Sequence, residues 1–377
     1  MSDDTTKKTR IQELDIMKGL GMILIAVFHI VYRSMHGIAD NLICSLGWAF
    51  IPAFFLMSGY TCRPDTSVGV SYRKRVMGLL LPVILTEFVL ILLGGIYCIL
   101  FHDYSVKDVL HDALVTFLRP EITTKISDQW GGGNLLFFNL SPVWFIWSLI
   151  WAELVFHPIR KLIHGRKCIV WISVMLLLFV IQIPMYCFLD PAPWGLTILP
   201  VYILFMLMGL KLREWNAVDR LTRVPLLPSL AIMVLLFAVH FGLFKLTGDE
   251  SYYASIFGTR GAWDVFAVVL QLLFAAPALF YLARALGMLQ FPRRVLVWMG
   301  QHTLGFLTMH CFFAMIYCDI FHNYSKPGTN WYLELQGIPL TSEIILKSIL
   351  CCTLALLSCG LVLFLKDKLK SRFAVSN

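Results

Sequence analysis

Ile11–Tyr32 reads IQELDIMKGLGMILIAVFHIVY. It is long enough to cross a bilayer, which takes about 20 largely apolar residues in a helix. Yet it carries Glu13, Asp15, Lys18 and His29. Asp or Lys at membrane depth costs about 2.5–3.5 kcal/mol even on lenient insertion scales, so such residues tend to be paired or functional. A plain anchor would not contain them. Lys18 and His29 are eleven residues apart. At about 100° per residue they share one helix face, about 16 Å apart along it. Asp15 lies one turn before Lys18, within pairing reach. Gly19, Met22 and Ala26 fall between the two ends, and the opposite strip is Leu, Ile, Val and Phe. The bland alternative is a span with a snorkelling Lys and a satisfied His. Three ionisable residues aligned on one face weigh against it.

The rest of the chain repeats the apolar theme. Its 377 residues are 58% hydrophobic and 14% charged, with a mean hydropathy of +0.75. No soluble domain needs that much apolar surface. About ten spans are predicted, at 11–32, 43–61, 76–101, 142–157, 168–188, 195–212, 225–246, 263–286, 295–320 and 342–365. The fold class expected is an all-α integral membrane protein. It forms one domain over 1–377, with tails at 1–10 and 366–377 and no separate soluble domain. The longest gap, His102 to Ser141, reads as a large loop.

The net charge of +8 comes from every second loop. Lys7, Lys8 and Arg10 precede the first span, and Arg63, Arg73, Lys74 and Arg75 follow the second. Arg160 and Lys161, then Lys211 and Arg213, then Arg293 and Arg294, continue the alternation to Lys366–Arg372. This is the positive-inside pattern with both termini cytoplasmic. It accounts for the charge without a nucleic acid. None of the ten Cys forms a CxxC pair, so neither a metal site nor a disulfide framework is expected.

Several other positions carry candidate chemistry. His310 lies within the ninth span and, counted along the helices, at a depth similar to His29. Its bland role is a core His bonded to a backbone carbonyl. Arg73, Lys74 and Arg75 stand at the cytoplasmic mouth of the third span. They set topology at least, and Arg is well shaped to grip phosphates. Glu87 and Glu153 fall near mid-membrane, where either could pair with Lys18 or an Arg, or line a proton path. Pro52 and Gly59 point to a broken or kinked second span. Trp144, Trp147 and Trp151 form a stripe that is packing or an interfacial belt first, and a sugar platform second. The segment Asp128–Asn134, with Trp130, is exterior and either folds over an acceptor or simply turns.

Together these residues resemble the membrane-bound acyltransferase 3 family. Arg10, Leu14, Asp15, Lys18, Gly19 and His29 match the spacing of its first helix, with Lys18 where many members have Arg. Pro52 and Phe54–Gly59 match a second motif, and Arg73–Arg75 with Leu81-Pro82 a third. Trp144-Phe145-Ile146 and Gly300, Thr303, His310 complete the series, which spans nearly the whole chain. Members with an added SGNH hydrolase-like domain are longer than this chain.

The resemblance implies transfer of an acyl group, chiefly acetyl, from cytoplasmic acetyl-CoA to a hydroxyl of an extracytoplasmic or lipid-linked glycan. The setting would be a bacterial plasma membrane, and no metal is implied. His29 would be the general base or an acyl-accepting nucleophile. Asp15 and Lys18 would order the donor, Arg73 and Arg75 with Ser58 would bind it, and His310 would assist proton transfer. Trp144, Glu153 and Trp130 would serve the acceptor. Acyl-CoA, the glycan and membrane lipids are the implied partners. A proton-coupled transporter using Asp15, Lys18, Glu87 and Glu153 as a relay is the competing reading; its inverted repeat is not visible. A non-enzymatic membrane sensor or scaffold is a third, which leaves the aligned ionisable residues unexplained.

Overall fold

Inside lipid every backbone N–H and C=O must be paired within the chain, so long apolar segments become helices. The computed structural model describes residues 10–31, 38–63, 66–101, 104–118, 143–189, 196, 198–247, 262–322 and 342–375. These are helical throughout their ordered elements, with no strand among the described residues. The helices are α1 (Gln12–Val31), α2 (Ile38–Thr61), α3 (Val68–Arg75), α4 (Leu81–Phe101), α5 (Val106–Leu118), α6 (Val143–Ile163) and α7 (Cys168–Leu189). They continue as α8 (Leu199–Glu214), α9 (Ala217–Arg223), α10 (Leu226–Thr247), α11 (Ala262–Gly287), α12 (Gln290–Gln301), α13 (Thr303–His322) and α14 (Ser342–Val375). Among the described residues, six helical stretches are long and apolar enough to span a membrane: Val68–Phe101, Cys168–Met185, Leu226–Thr247, Phe266–Gly287, Thr303–Phe321 and Ser342–Arg372. Leu85, Phe88, Leu92, Ile96 and Leu100 stand exposed along α4, as a lipid-facing stripe would.

The core runs along α2 and α8. Phe50, Ala53, Phe55 and Met57 are fully buried, as are Phe205, Met206, Leu207 and Leu210. Phe55 stacks on Tyr202 with ring centroids 3.8 Å apart. The two helices cross where both carry glycine. A Cβ on Gly59 would stand 1.9 Å from the Met206 carbonyl oxygen, and one on Gly209 1.9 Å from that of Leu56. A second crossing joins α1 to α12 in the same way. There a Cβ on Gly19 would be 2.1 Å from the Leu296 oxygen, and one on Gly300 1.9 Å from the Asp15 oxygen. Small residues let membrane helices touch backbone to backbone. The glycines of three family-like motifs, Gly19, Gly59 and Gly300, therefore serve close packing.

Several expectations need correction. The second span is not broken: α2 runs unbroken through Pro52, and Gly59 is a contact point. The break falls in the ninth span, where His302 separates α12 from α13. The third span begins earlier than expected. Ser67 caps α3, accepting from the Val70 N–H at 3.4 Å, and a π-helical turn at Val76–Leu80 links α3 to α4. Arg73–Arg75 thus lie within the helix. The gap after His102 holds α5, whose Val106, Leu110 and Leu114 are exposed on one face. The last span is longer than expected, since α14 continues to Val375.

Candidate functional site

The polar site is assembled from four helices. On α6, Tyr72 of α3 donates its hydroxyl to the Leu154 carbonyl at 2.5 Å. That bond sets α3 against α6 so that Arg75 meets Glu153, with Nη2 2.7 Å from Oε1. Glu153 is buried to 1% exposure, while the Arg75 side chain keeps 37%. The Ser58 hydroxyl of α2 donates to the same Oε1 at 2.5 Å. The other carboxylate oxygen faces His157 Nε2, one turn on, at 3.0 Å, off the line of a straight hydrogen bond. One carboxylate is therefore held from three sides. A buried charge needs this, because a buried carboxylate without partners is strongly unfavourable.

His157 extends the cluster. Its Nδ1 lies 4.0 Å from Cys62 Sγ. Arg160, one turn further and 1% exposed, spans the connection between α2 and α3. Its Nη1 donates to the Arg63 carbonyl and lies 3.3 Å from Cys62 Sγ, and its Nη2 donates to the Thr66 carbonyl at 2.7 Å. Arg213 at the end of α8 donates to the Cys62 carbonyl. The ends of α2, α6 and α8 are thus tied together by cations, which form the basic end of the bundle. A left-handed Gly165 (φ +73°) follows α6, where only glycine turns the chain without strain.

On α1, Asp15 is buried and paired with Arg10, whose Nη2 is 3.0 Å from Oδ1. Lys18 is half-buried and interacts electrostatically with Asp15, Arg10 and Arg75. Asp15, Lys18, Ser58, Arg75 and Glu153 therefore come together at the basic end. Arg73 is on α3 but exposed.

His310 stands apart, with no exposed surface. Its Nδ1 is 3.0 Å from the Phe306 and Leu307 carbonyls, and its Nε2 is 3.3 Å from Cys311 Sγ. Nδ1 bonded to a carbonyl leaves the neutral ring with Nε2 as acceptor. His29 is a residue of α1, but its side chain and that of Trp144 lie outside the described residues, as does Trp130 altogether. Along the backbone, His29 is ten residues past Gly19, which packs on Leu296, and His310 is ten past Gly300, which packs on Asp15. His302, at the break in the chain, takes a structural position. Nδ1 is 2.8 Å from the Trp298 carbonyl and Nε2 is 2.8 Å from Asp367 Oδ2 on α14.

His157, Tyr72 and Cys62 were not singled out from the sequence, and Arg160 was read only as a topology-setting loop cation. A signal for two of them exists. Glu153, His157 and Arg160 are four and three residues apart, so they form the same kind of one-face polar strip as Asp15 and Lys18.

No metal-binding group of three or more His, Cys, Asp or Glu exists among the described residues. A family model described as an acyltransferase domain matches residues 11–364. No curated protein and no solved structure matches the chain.

Proposed function

This chain belongs to the acyltransferase 3 family, and on that premise we propose that it transfers an acetyl group from cytoplasmic acetyl-CoA to a glycan hydroxyl outside the membrane. The family and the apolar helices make it a multi-pass membrane acyltransferase. The observation that carries the finer reading is the polar cluster of Asp15, Lys18, Ser58, Arg75, Glu153 and His157 at the basic end. Acetyl-CoA is a polyanion and does not cross lipid, so its phosphates stay where arginines gather. The positive-inside pattern makes that end cytoplasmic, with both chain termini there. Arg75 and the exposed Arg73 hold the phosphates. Glu153, fixed by Ser58 and His157, aims Arg75. Lys18 and Asp15 carry the charged strip inward along α1, beside the thin pantetheine arm.

His29 sits on the outer part of that helix. As a general base it takes the proton of the acceptor hydroxyl, whose oxygen attacks the thioester carbonyl. The C–S bond breaks and CoA leaves as the thiolate. As a nucleophile it would instead form an acyl-imidazole that the hydroxyl then opens. His310 assists proton transfer in either route. Trp144 and Trp130 belong to the acceptor side, a lipid-linked or surface glycan of a bacterial plasma membrane.

The test uses sealed inverted membrane vesicles, whose cytoplasmic face is outward, and radiolabelled acetyl-CoA. Label on a glycan is expected. Right-side-out vesicles should give none. Uptake of a solute with no label transferred would favour the transporter and defeat this reading.

A further inference from the structure

Beside the charged strip of α1 lies a cavity of about 460 Å³. That is in the ordinary size range of a ligand pocket, about 300–1,000 Å³. Met17 of α1, Met57 of α2, Met175 of α7 and Met208 of α8 give it an adaptable apolar wall, closed by Leu272 and Phe280 of α11. Methionine suits a flexible hydrocarbon guest because it repacks readily.

The rim is different in kind. Lys211, Trp215 and Arg220 line it from α8 to α9. Lys211 Nζ lies over the Trp171 ring at 4.7 Å and pairs with Glu214 at 2.8 Å, so its charge is held at the mouth. Trp215 is 54% exposed, the position of an interfacial aromatic. Arg220 is exposed, and its guanidinium has no partner among the described residues. Residues 211–223 hold Lys211, Arg213, Arg220 and Arg223 against Glu214 and Asp219. The rim is therefore positive.

The depth fits one leaflet. Arg284 Nη1 donates to the Leu221 carbonyl at 3.4 Å, so residue 284 marks the level of the rim. Leu272 lies twelve residues earlier on the same helix, about 18 Å deeper at 1.5 Å per residue. Half of a hydrocarbon core about 30 Å thick is about 15 Å. Basic pockets between spans on the cytoplasmic side are suited to anionic lipid headgroups.

We propose that this cavity is a binding site for an anionic phospholipid of the basic-end leaflet. One acyl chain fills the methionine-lined cleft and the phosphate sits between Arg220 and Lys211. The site borders the donor cluster, since Leu14 lies one turn before Lys18 on α1 and Met57 precedes Ser58 on α2, but its Met-rich wall and the Lys211–Arg220 rim lie outside that cluster. It does not depend on the reaction assigned above.

The full-length chain, delipidated in detergent, is mixed with phosphatidylglycerol or with phosphatidylcholine of the same chains. Melting temperature and lipid retained in native mass spectra are read. Phosphatidylglycerol should raise the melting temperature and stay bound one per chain, and phosphatidylcholine should do neither. Arg220→Ala should weaken phosphatidylglycerol binding at least tenfold. Ala276→Phe, which fills the cleft, should abolish it. Equal retention of both lipids by wild type, or undiminished phosphatidylglycerol binding in both variants, would overturn the proposal. So would displacement of the lipid by a long-chain acyl-CoA at equimolar amounts.

Discussion

Neutralising Glu153 tests whether the buried cluster works by aiming Arg75. In Glu153→Gln the shape is kept and Ser58 still has an oxygen to donate to, but Arg75 at 2.7 Å and His157 at 3.0 Å lose their anion. Removing one partner of a buried pair costs about 3–5 kcal/mol. The Arg75 side chain is 37% exposed, so solvent screening puts the loss below that range. The part felt by a bound donor is smaller still, about 1.4 kcal/mol, or tenfold weaker CoA binding. If Arg75 holds a donor phosphate as proposed, Arg75→Ala removes a charged hydrogen bond, about 1.5–3 kcal/mol, which is roughly tenfold to a hundredfold. The double variant discriminates. If Glu153 acts only through Arg75, adding Glu153→Gln to Arg75→Ala should change CoA affinity by less than about twofold, leaving a coupling energy of about 1 kcal/mol or more. The assay is CoA titration of purified protein, with gel filtration and melting temperature as folding controls. In the proposed complex Glu153 would also place a negative charge near the donor phosphates. Tighter CoA binding in Glu153→Gln, or strictly additive losses in the double variant, would refute the positioning role.

The remaining predictions probe packing and the cluster's edges. Gly300→Ala puts a Cβ 1.9 Å from the Asp15 carbonyl oxygen. It should force α12 off α1, lowering the yield of folded protein and weakening CoA binding, measured by gel filtration and titration. Asp367 is half exposed, so Asp367→Asn should cost under about 1 kcal/mol, seen as a small change in melting temperature with activity retained. Arg73 is exposed, so Arg73→Ala should weaken CoA binding less than Arg75→Ala does. That smaller loss should fade as salt rises from 50 to 500 mM, because exposed charges are screened within about a Debye length.

Much of the fold could be read from the sequence, because hydropathy measures transfer into lipid and the helices here are mostly defined by that transfer. The failures share a cause. Val68–Arg75 and the end of α14 carry Arg, Lys and Asp, so a hydropathy window closes before the helix does. Backbone hydrogen bonding continues regardless, from the Ser67 cap in one case and to Val375 in the other. Crossing points were hidden for another reason. Gly19 packs on Leu296 and Gly300 on Asp15, pairs far apart in the chain, and a single sequence does not say which backbone each glycine meets. At the site, the nearness of Asp15 and Lys18 on α1 was legible from their spacing of three residues, while the His29 side chain lies outside the described residues. Glu153 was noticed and His157 was not, although they are one turn apart. The grip of Ser58, Arg75 and His157 on one carboxylate depends on three helices docking, which spacing within any one of them does not reveal.

In the proposed reaction, His29 on α1 is where a cytoplasmic donor meets an external acceptor. The most direct test is glycan acetylation by His29→Ala in membranes, with insertion checked by protease protection and protein level. The variant should be a normally inserted protein that binds CoA and acetylates no glycan. A normally inserted His29→Ala protein that acetylates glycan at the wild-type rate would contradict it.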